Sequence, residues 1–125
     1  MILARKIDTV AFDRPGGETC AKSHGRPIDL DHLSDQTFGD RALAEEVLRL
    51  FCTQVKQALA GLQHGSAKER HFLAHALKGS ARGVGAMQLA EAAERLEQDS
   101  ASEEALSELI VSIEKVQEFC ASILR

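Results

Sequence analysis

A histidine lies among basic and small residues in the segment SAKERHFLAHALKGSARGVGA, which covers residues 66–86. Three and four residues after His75 come Lys78 and Gly79. A neutral imidazole is a good nucleophile for phosphorus, and a nearby ammonium group can neutralise charge on transferring phosphoryl oxygens. The segment could therefore carry a phosphoryl group, but a surface histidine on a solvated face fits the same spacing.

The apolar residues of this segment recur at three- and four-residue steps, which predicts one amphipathic helix. On a wheel at about 100° per residue they gather on one side, and we expect that side to face the core. The predicted core side consists of Phe72, Leu73, Ala76, Leu77, Ser80 and Val84. Ser66 opens a capping-box pattern with Glu69, and the helix is predicted to end near Arg82, before Gly83 and Gly85.

The polar side of the same wheel holds the residues that a partner could contact. They are Lys68, His71, His75, Lys78, Gly79 and Arg82. An exposed glycine inside a helix costs about 1 kcal/mol relative to alanine, so folding alone does not explain Gly79. Its missing side chain leaves an opening beside His75. Lys68, Lys78 and Arg82 form a cationic strip that suits a phosphoryl group or an acidic partner.

Other amphipathic segments must position this helix. The periodicity predicts three more long helices, over residues 41–63, 86–99 and 102–124. Asp40 is a plausible N-cap for the first, and Ser100 is spaced from Glu103 as a capping box for the last. Because the connections are short and no strand signal occurs, the sequence predicts an all-α, antiparallel up-down four-helix bundle, with a short helical turn over residues 28–38.

The composition agrees with a helical scaffold. Of the 125 residues, 44% are hydrophobic but only 4% are aromatic, with no Trp and no Tyr, which favours helices over strands. The length fits one domain, predicted over residues 28–125, after a flexible N-terminal tail over residues 1–27 that contains Pro15 and shows no sustained period. The net charge of -4 argues against a general nucleic-acid binder, and no apolar run predicts a membrane span.

The three cysteines, Cys20, Cys52 and Cys120, indicate neither a disulfide framework nor a zinc site, because their number is odd and no CxxC spacing occurs. Nothing resembles a secretory signal, so we expect a cytoplasmic protein. His71 and His75 are spaced i, i+4 as in metal-binding helices, but the glutamate of an HExxH motif is missing. We therefore predict no metal site, while a third ligand from another helix stays open.

The residues from His75 to Ala86 resemble the signature of histidine phosphotransfer (HPt) domains, of the bacterial stand-alone type. The family pattern reads roughly H-x-L-K-G-S/A-S/A-x-x-L/V-G-A. The residues that match it are His75, Leu77, Lys78, Gly79, Ser80, Val84, Gly85 and Ala86. The resemblance covers residues 29–124, because the family fold is also a four-helix bundle. Ala81 is a mild departure, since many members have Ser there.

The resemblance implies a phosphorelay intermediate rather than an enzyme. It implies that His75 accepts a phosphoryl group from an aspartyl phosphate in a receiver domain and passes it to another receiver domain. Lys78 would assist the phosphoryl group, and Gly79 would permit receiver docking. Ser80 would pack next to the site, and Gly85 would close the turn into the third long helix.

The implied partners are response-regulator receiver domains and a hybrid sensor histidine kinase, with no nucleic acid and no membrane. Lys68, His71 and Arg82 would contribute to docking around the rim. No cofactor is expected in this chain, because the receiver domain would supply Mg²⁺ and the acidic catalytic pocket. A closed bundle with polar outer faces favours a monomer.

Two rival interpretations use the same face. A histidine-kinase dimerisation helix also exposes a histidine, but the next residue is usually acidic there, whereas Ala76 follows His75. We therefore expect no autokinase activity. A non-phosphorylated helical protein-interaction module would keep the bundle and use the His75 face for binding alone. The imidazole itself is the feature that separates these functions.

Overall fold

The computed structural model describes residues 26–124, and this part of the chain folds into five helices joined by short connections. They are α1 (Leu30–Gln36), α2 (Arg41–His64), α3 (Ala67–Val84), α4 (Met87–Gln98) and α5 (Glu103–Ile123). Helix α3 packs between α2 and α4, and α5 closes the bundle by packing on both of these. The prediction of an all-α four-helix bundle with a short helical turn before it is confirmed.

The described chain joins the bundle at Ile28, which is fully buried. The next backbone amide, of Asp29, donates to the carbonyl of Gly85 at 2.9 Å. Residues 1–25 of the predicted tail, with Cys20, lie outside the described residues, so the division into tail and bundle stays a prediction. No helix among residues 26–124 combines the length and the apolar character that crossing a membrane requires.

Side-chain caps fix where four of the helices begin, and each such cap contributes about 1 kcal/mol. The capping residues are Asp29, Asp40, Ser66 and Ser102. Those expected at Asp40 and Ser66 are therefore present. The cap of α5 lies two residues later than the pattern indicated: the hydroxyl of Ser102 accepts from the amide of Ala105 at 3.0 Å. The Ser100 hydroxyl is directed to the Glu97 carbonyl instead, at 3.5 Å.

Aliphatic side chains from all five helices form the core. Its largest fully buried side chains are Ile28, Leu33, Val55, Leu62, Leu77, Leu89, Leu96, Leu109, Ile113, Val116 and Cys120. Burial of such apolar surface is the main favourable term in folding. Burial also raises the pKa of the Cys120 thiol, so this sulfur stays protonated within the core.

The buried side of α3 differs from the predicted one at four positions. Phe72 is 64% exposed and Ala76 is also exposed, whereas Ala74 and Ala81 are fully buried. The wheel placed Phe72 in the core because its side chain carries a large hydrophobic signal, whereas alanine carries a small one. The small side chains on the buried side let α3 approach its neighbours closely, and Phe72 lies on the surface.

Helix α3 also extends further than predicted, through Gly83 to Val84. Gly85 then ends it in the left-handed region at φ 91°, where its amide donates to the Ala81 carbonyl at 3.0 Å. A Cβ at this position would lie 2.8 Å from the Asp29 carbonyl oxygen. Glycine is therefore required here by both conformation and space, since L residues are strained in this region.

Replacing Gly85 with alanine tests this requirement. We expect Gly85→Ala to lower the free energy of unfolding by at least about 1 kcal/mol, because of left-handed strain and the contact with Asp29. Gly83→Ala is the matched control, because nothing lies within 4 Å of its Cβ position. Gly83→Ala should raise the free energy of unfolding by about 0.5–1 kcal/mol. Urea denaturation measures both, and equal effects would contradict the account.

Candidate functional site

His75 lies at the middle of the exposed face of α3. Its side chain is 67% exposed. Gly79, one turn further along, is also exposed, and nothing lies within 4 Å of the position that a Cβ would take. The surface beside the imidazole is therefore open to another molecule.

The main neighbour of His75 is Glu97, in the last turn of α4. His75 Nδ1 lies 2.7 Å from Glu97 Oε2, and Lys78 Nζ lies 2.7 Å from Oε1. The contact with Lys78 is an ion pair rather than a well-directed hydrogen bond, since Oε1 is buried without one. The Glu97 side chain is only 16% exposed and that of Lys78 19%. One shielded carboxylate thus joins the imidazole to the ammonium group.

This contact determines where the neutral imidazole carries its proton. The close contacts with Lys78 and with His75 hold the pKa of Glu97 below its usual value of 4.5, although partial burial opposes them. Glu97 is therefore ionised at neutral pH and can only accept a hydrogen bond. The proton of neutral His75 accordingly resides on Nδ1, and the lone pair is on Nε2. A buried or shielded carboxylate orients a histidine in this way in many sites.

His71, one turn before His75, contacts the same residue of α4. Its Nδ1 lies 3.1 Å from the backbone carbonyl oxygen of Glu97. The ring also meets the neighbouring Phe72 ring edge to face, with centroids 6.3 Å apart. His71 was expected at the docking rim, and the structure places it against the end of α4 as well.

Acidic side chains of α4 form ion pairs with two of the three cationic side chains predicted on the α3 face. Lys78 pairs with Glu97, and Arg82 Nη2 lies 3.0 Å from Glu94 Oε1. Lys68 is exposed near the start of α3. The strip is therefore not an unopposed positive surface, because acids from the adjacent helix alternate with its cations. A wheel drawn for one helix carries no information about the charges that a neighbouring helix brings.

The other flank of the α3 face is uncharged. Ser80 is half-buried there and borders an open groove towards α2, together with Gly83, Val47, Leu50 and Gln54. Leu50 is 62% exposed. His75 and Gly79 thus lie on a ridge between an apolar flank at α2 and a flank of ion pairs at α4.

Sequence reasoning missed Glu97, the residue that connects this site. It lies in the last turn of α4 as one of several glutamates in that helix, and nothing in its spacing separates it from Glu91 or Glu94. Only the packing of α4 on α3 reveals its role. Among residues 26–124, no group of three or more His, Cys, Asp or Glu side chains is arranged to hold a metal ion.

Comparison with known proteins gives one match. The family model described as "Hpt domain" matches residues 46–123, which is more than half of the chain and contains the whole face described above. No curated protein and no solved structure matches the chain.

Replacing Glu97 with glutamine tests the shared carboxylate through the pH dependence of stability. A carboxyl group whose pKa is lower in the folded state stabilises the fold fully above its unfolded value, here 4.5. That contribution is lost as pH falls through the lower folded value. At neutral pH the wild type should therefore have a higher free energy of unfolding than Glu97→Gln. This difference should disappear as the pH falls below 4.5.

Urea denaturation from about pH 7 to about pH 3 measures this gap, since stability follows the difference in proton binding between the two states. Glu94→Gln is the control, because it removes only the surface ion pair with Arg82. A gap between wild type and Glu97→Gln that does not change with pH would refute the coupling.

Proposed function

The chain belongs to the Hpt domain family, and on that premise we propose that His75 is its phosphoacceptor. Hpt domains are phosphocarriers of phosphorelay signalling and interact with response-regulator receiver domains. The contact between His75 Nδ1 and Glu97 carries the proposal. It leaves Nε2 as the nucleophilic nitrogen of an exposed ring, beside the open surface at Gly79.

In the proposed reaction, the Nε2 lone pair of His75 attacks the phosphorus of an aspartyl phosphate in a receiver domain. The N–P bond forms while the P–O bond to the aspartate breaks, and the carboxylate of the receiver leaves with that electron pair. The phosphorylated ring becomes cationic and keeps its proton on Nδ1, where the Glu97 carboxylate stabilises it. Transfer to a second receiver domain reverses these steps.

Lys78 would meet the phosphoryl oxygens. It lies three residues after His75, so the two side chains leave the same face of α3. Its ion pair with Glu97 keeps the ammonium group close to the imidazole before transfer. After transfer, a phosphoryl dianion on Nε2 would compete with Glu97 for this flexible ammonium group. His75 would keep its contact with the other carboxylate oxygen of Glu97.

A receiver domain would dock across Gly79, where no side chain obstructs its approach. Lys68, His71 and Arg82 would surround this contact, and Ser80 would pack beside it on the apolar flank. The ion pair between Arg82 and Glu94 is exposed, so it costs little to rearrange during docking. The open surface at Gly79 would thus admit a partner beside His75.

We further propose the place of this chain in the relay. The donor receiver domain belongs to a hybrid sensor histidine kinase, and the acceptor belongs to a response regulator. The receiver domain supplies Mg²⁺ and the acidic pocket, so the bundle contributes the imidazole and the surface around it. The chain acts as a monomeric cytoplasmic carrier without autokinase activity.

Replacing His75 with glutamine tests the phosphoacceptor. We expect His75→Gln to take up no acid-labile, base-stable label from a phosphorylated receiver domain, because an amide has no nucleophilic ring nitrogen. His64→Gln, at the end of α2, is the control and should label like the wild type. Label retained in His75→Gln would refute the assignment. A wild type that accepts no label from any receiver domain would favour the protein-interaction module.

Replacing Gly79 with arginine tests docking. The variant should fold, because its Cβ meets open space, but the long side chain should slow transfer at least about tenfold by obstructing the partner. Gly79→Ala is the control and should raise the free energy of unfolding by about 0.5–1 kcal/mol with little effect on transfer. Single-turnover rates and receiver Kd values measure these effects. Wild-type rates in Gly79→Arg would remove Gly79 from the docking surface.

A further inference from the structure

We propose that His71 is a positioning residue that holds Glu97 in place for His75. The consequence for transfer rests on the proposed function, whereas the hydrogen bonds that carry the inference do not. His71 contacts neither the phosphoryl group nor the reacting nitrogen in this account. It acts through the backbone of α4.

The backbone carbonyl of Glu97 is free to accept from a donor outside its own helix. Glu97 lies in the last turn of α4, where carbonyl oxygens have no intrahelical donor. No left-handed glycine follows, since the capping residue is Asp99 at φ −141°. Of the side-chain donors to the Glu97 carbonyl, Ser100 is at 3.5 Å and His71 Nδ1 at 3.1 Å. The imidazole therefore makes the stronger contact.

Three side chains of α3 thus hold one residue of α4. Lys78 and His75 contact the two carboxylate oxygens of Glu97, and His71 contacts its carbonyl. The first two bind the end of a rotatable side chain and do not fix the backbone that carries it. His71 contacts that backbone directly. Because helix ends fray, the loss of this contact would let the carboxylate move away from His75.

The chemistry of the contact assigns a proton to His71. A carbonyl oxygen has no proton to give, so His71 Nδ1 must be the donor. Both one neutral tautomer and the imidazolium form carry a proton on Nδ1, so either can make this contact. A cationic ring would also interact favourably with the C-terminal end of α4.

The test compares His71→Asn with His71→Leu in the full chain. The side-chain nitrogen of asparagine can occupy the place of Nδ1 and donate to Glu97, whereas leucine has no donor. The readout is the pair of ¹⁵N chemical shifts of the His75 ring, which report the protonated nitrogen. The wild type and His71→Asn should show a proton on Nδ1. His71→Leu should show a mixture of tautomers.

Transfer from a phosphorylated receiver domain is the second readout. His71→Leu should transfer several-fold more slowly than the wild type, and His71→Asn should restore the rate. The proposal would be overturned if the His75 tautomer in His71→Leu were the same as in the wild type. It would also be overturned if His71→Leu and His71→Asn showed the same mixture of His75 tautomers. Weaker receiver binding in both variants with unaltered tautomer would assign His71 to docking. A wild type that accepts no phosphoryl group would defeat the proposed function, and the ring shifts would still decide the role of His71.

Discussion

The carboxylate of Glu97 lies between an imidazole and an ammonium group, and each of its oxygens is 2.7 Å from one of their nitrogens. The arrangement requires α4 to end at the level of His75 and to lie close against α3. Small buried side chains, such as Ala74 and Ala81 on α3, allow that approach. The left-handed turn at Gly85 reverses the chain between the two helices. The geometry of the site is thus a product of bundle packing.

The ridge around His75 is built for access rather than for stability. Gly79 lowers helix stability by about 1 kcal/mol relative to alanine. Phe72 is exposed, so its apolar side chain does not add to the stabilisation that burial would provide. Both concessions leave contact surface for another molecule. The ion pairs on the α4 flank contribute little net stability, so they can rearrange when a partner arrives. These properties fit the proposed docking of a receiver domain beside His75.

The features that could be predicted from sequence are those set by local rules. Apolar periodicity predicted the four long helices, and local chemistry predicted the caps at Asp40 and Ser66. The errors arise where tertiary packing decides, as at Phe72, which a wheel cannot separate from a core residue. Glu97 could not be found at all, because its role depends on the rotation of α4 against α3. The family signature indicated the face that we propose as the site, whereas the charges around it could be described only from the fold.

By accepting a hydrogen bond from Nδ1, Glu97 makes Nε2 the proposed nucleophile of His75. The most direct measurement is the site of the N–P bond in the phosphorylated chain, by NMR of ¹⁵N-histidine-labelled protein after transfer from a receiver domain. We expect phosphorus coupled to Nε2 of His75, with the ring proton retained on Nδ1. Phosphorus coupled to Nδ1, or located on another residue, would contradict it.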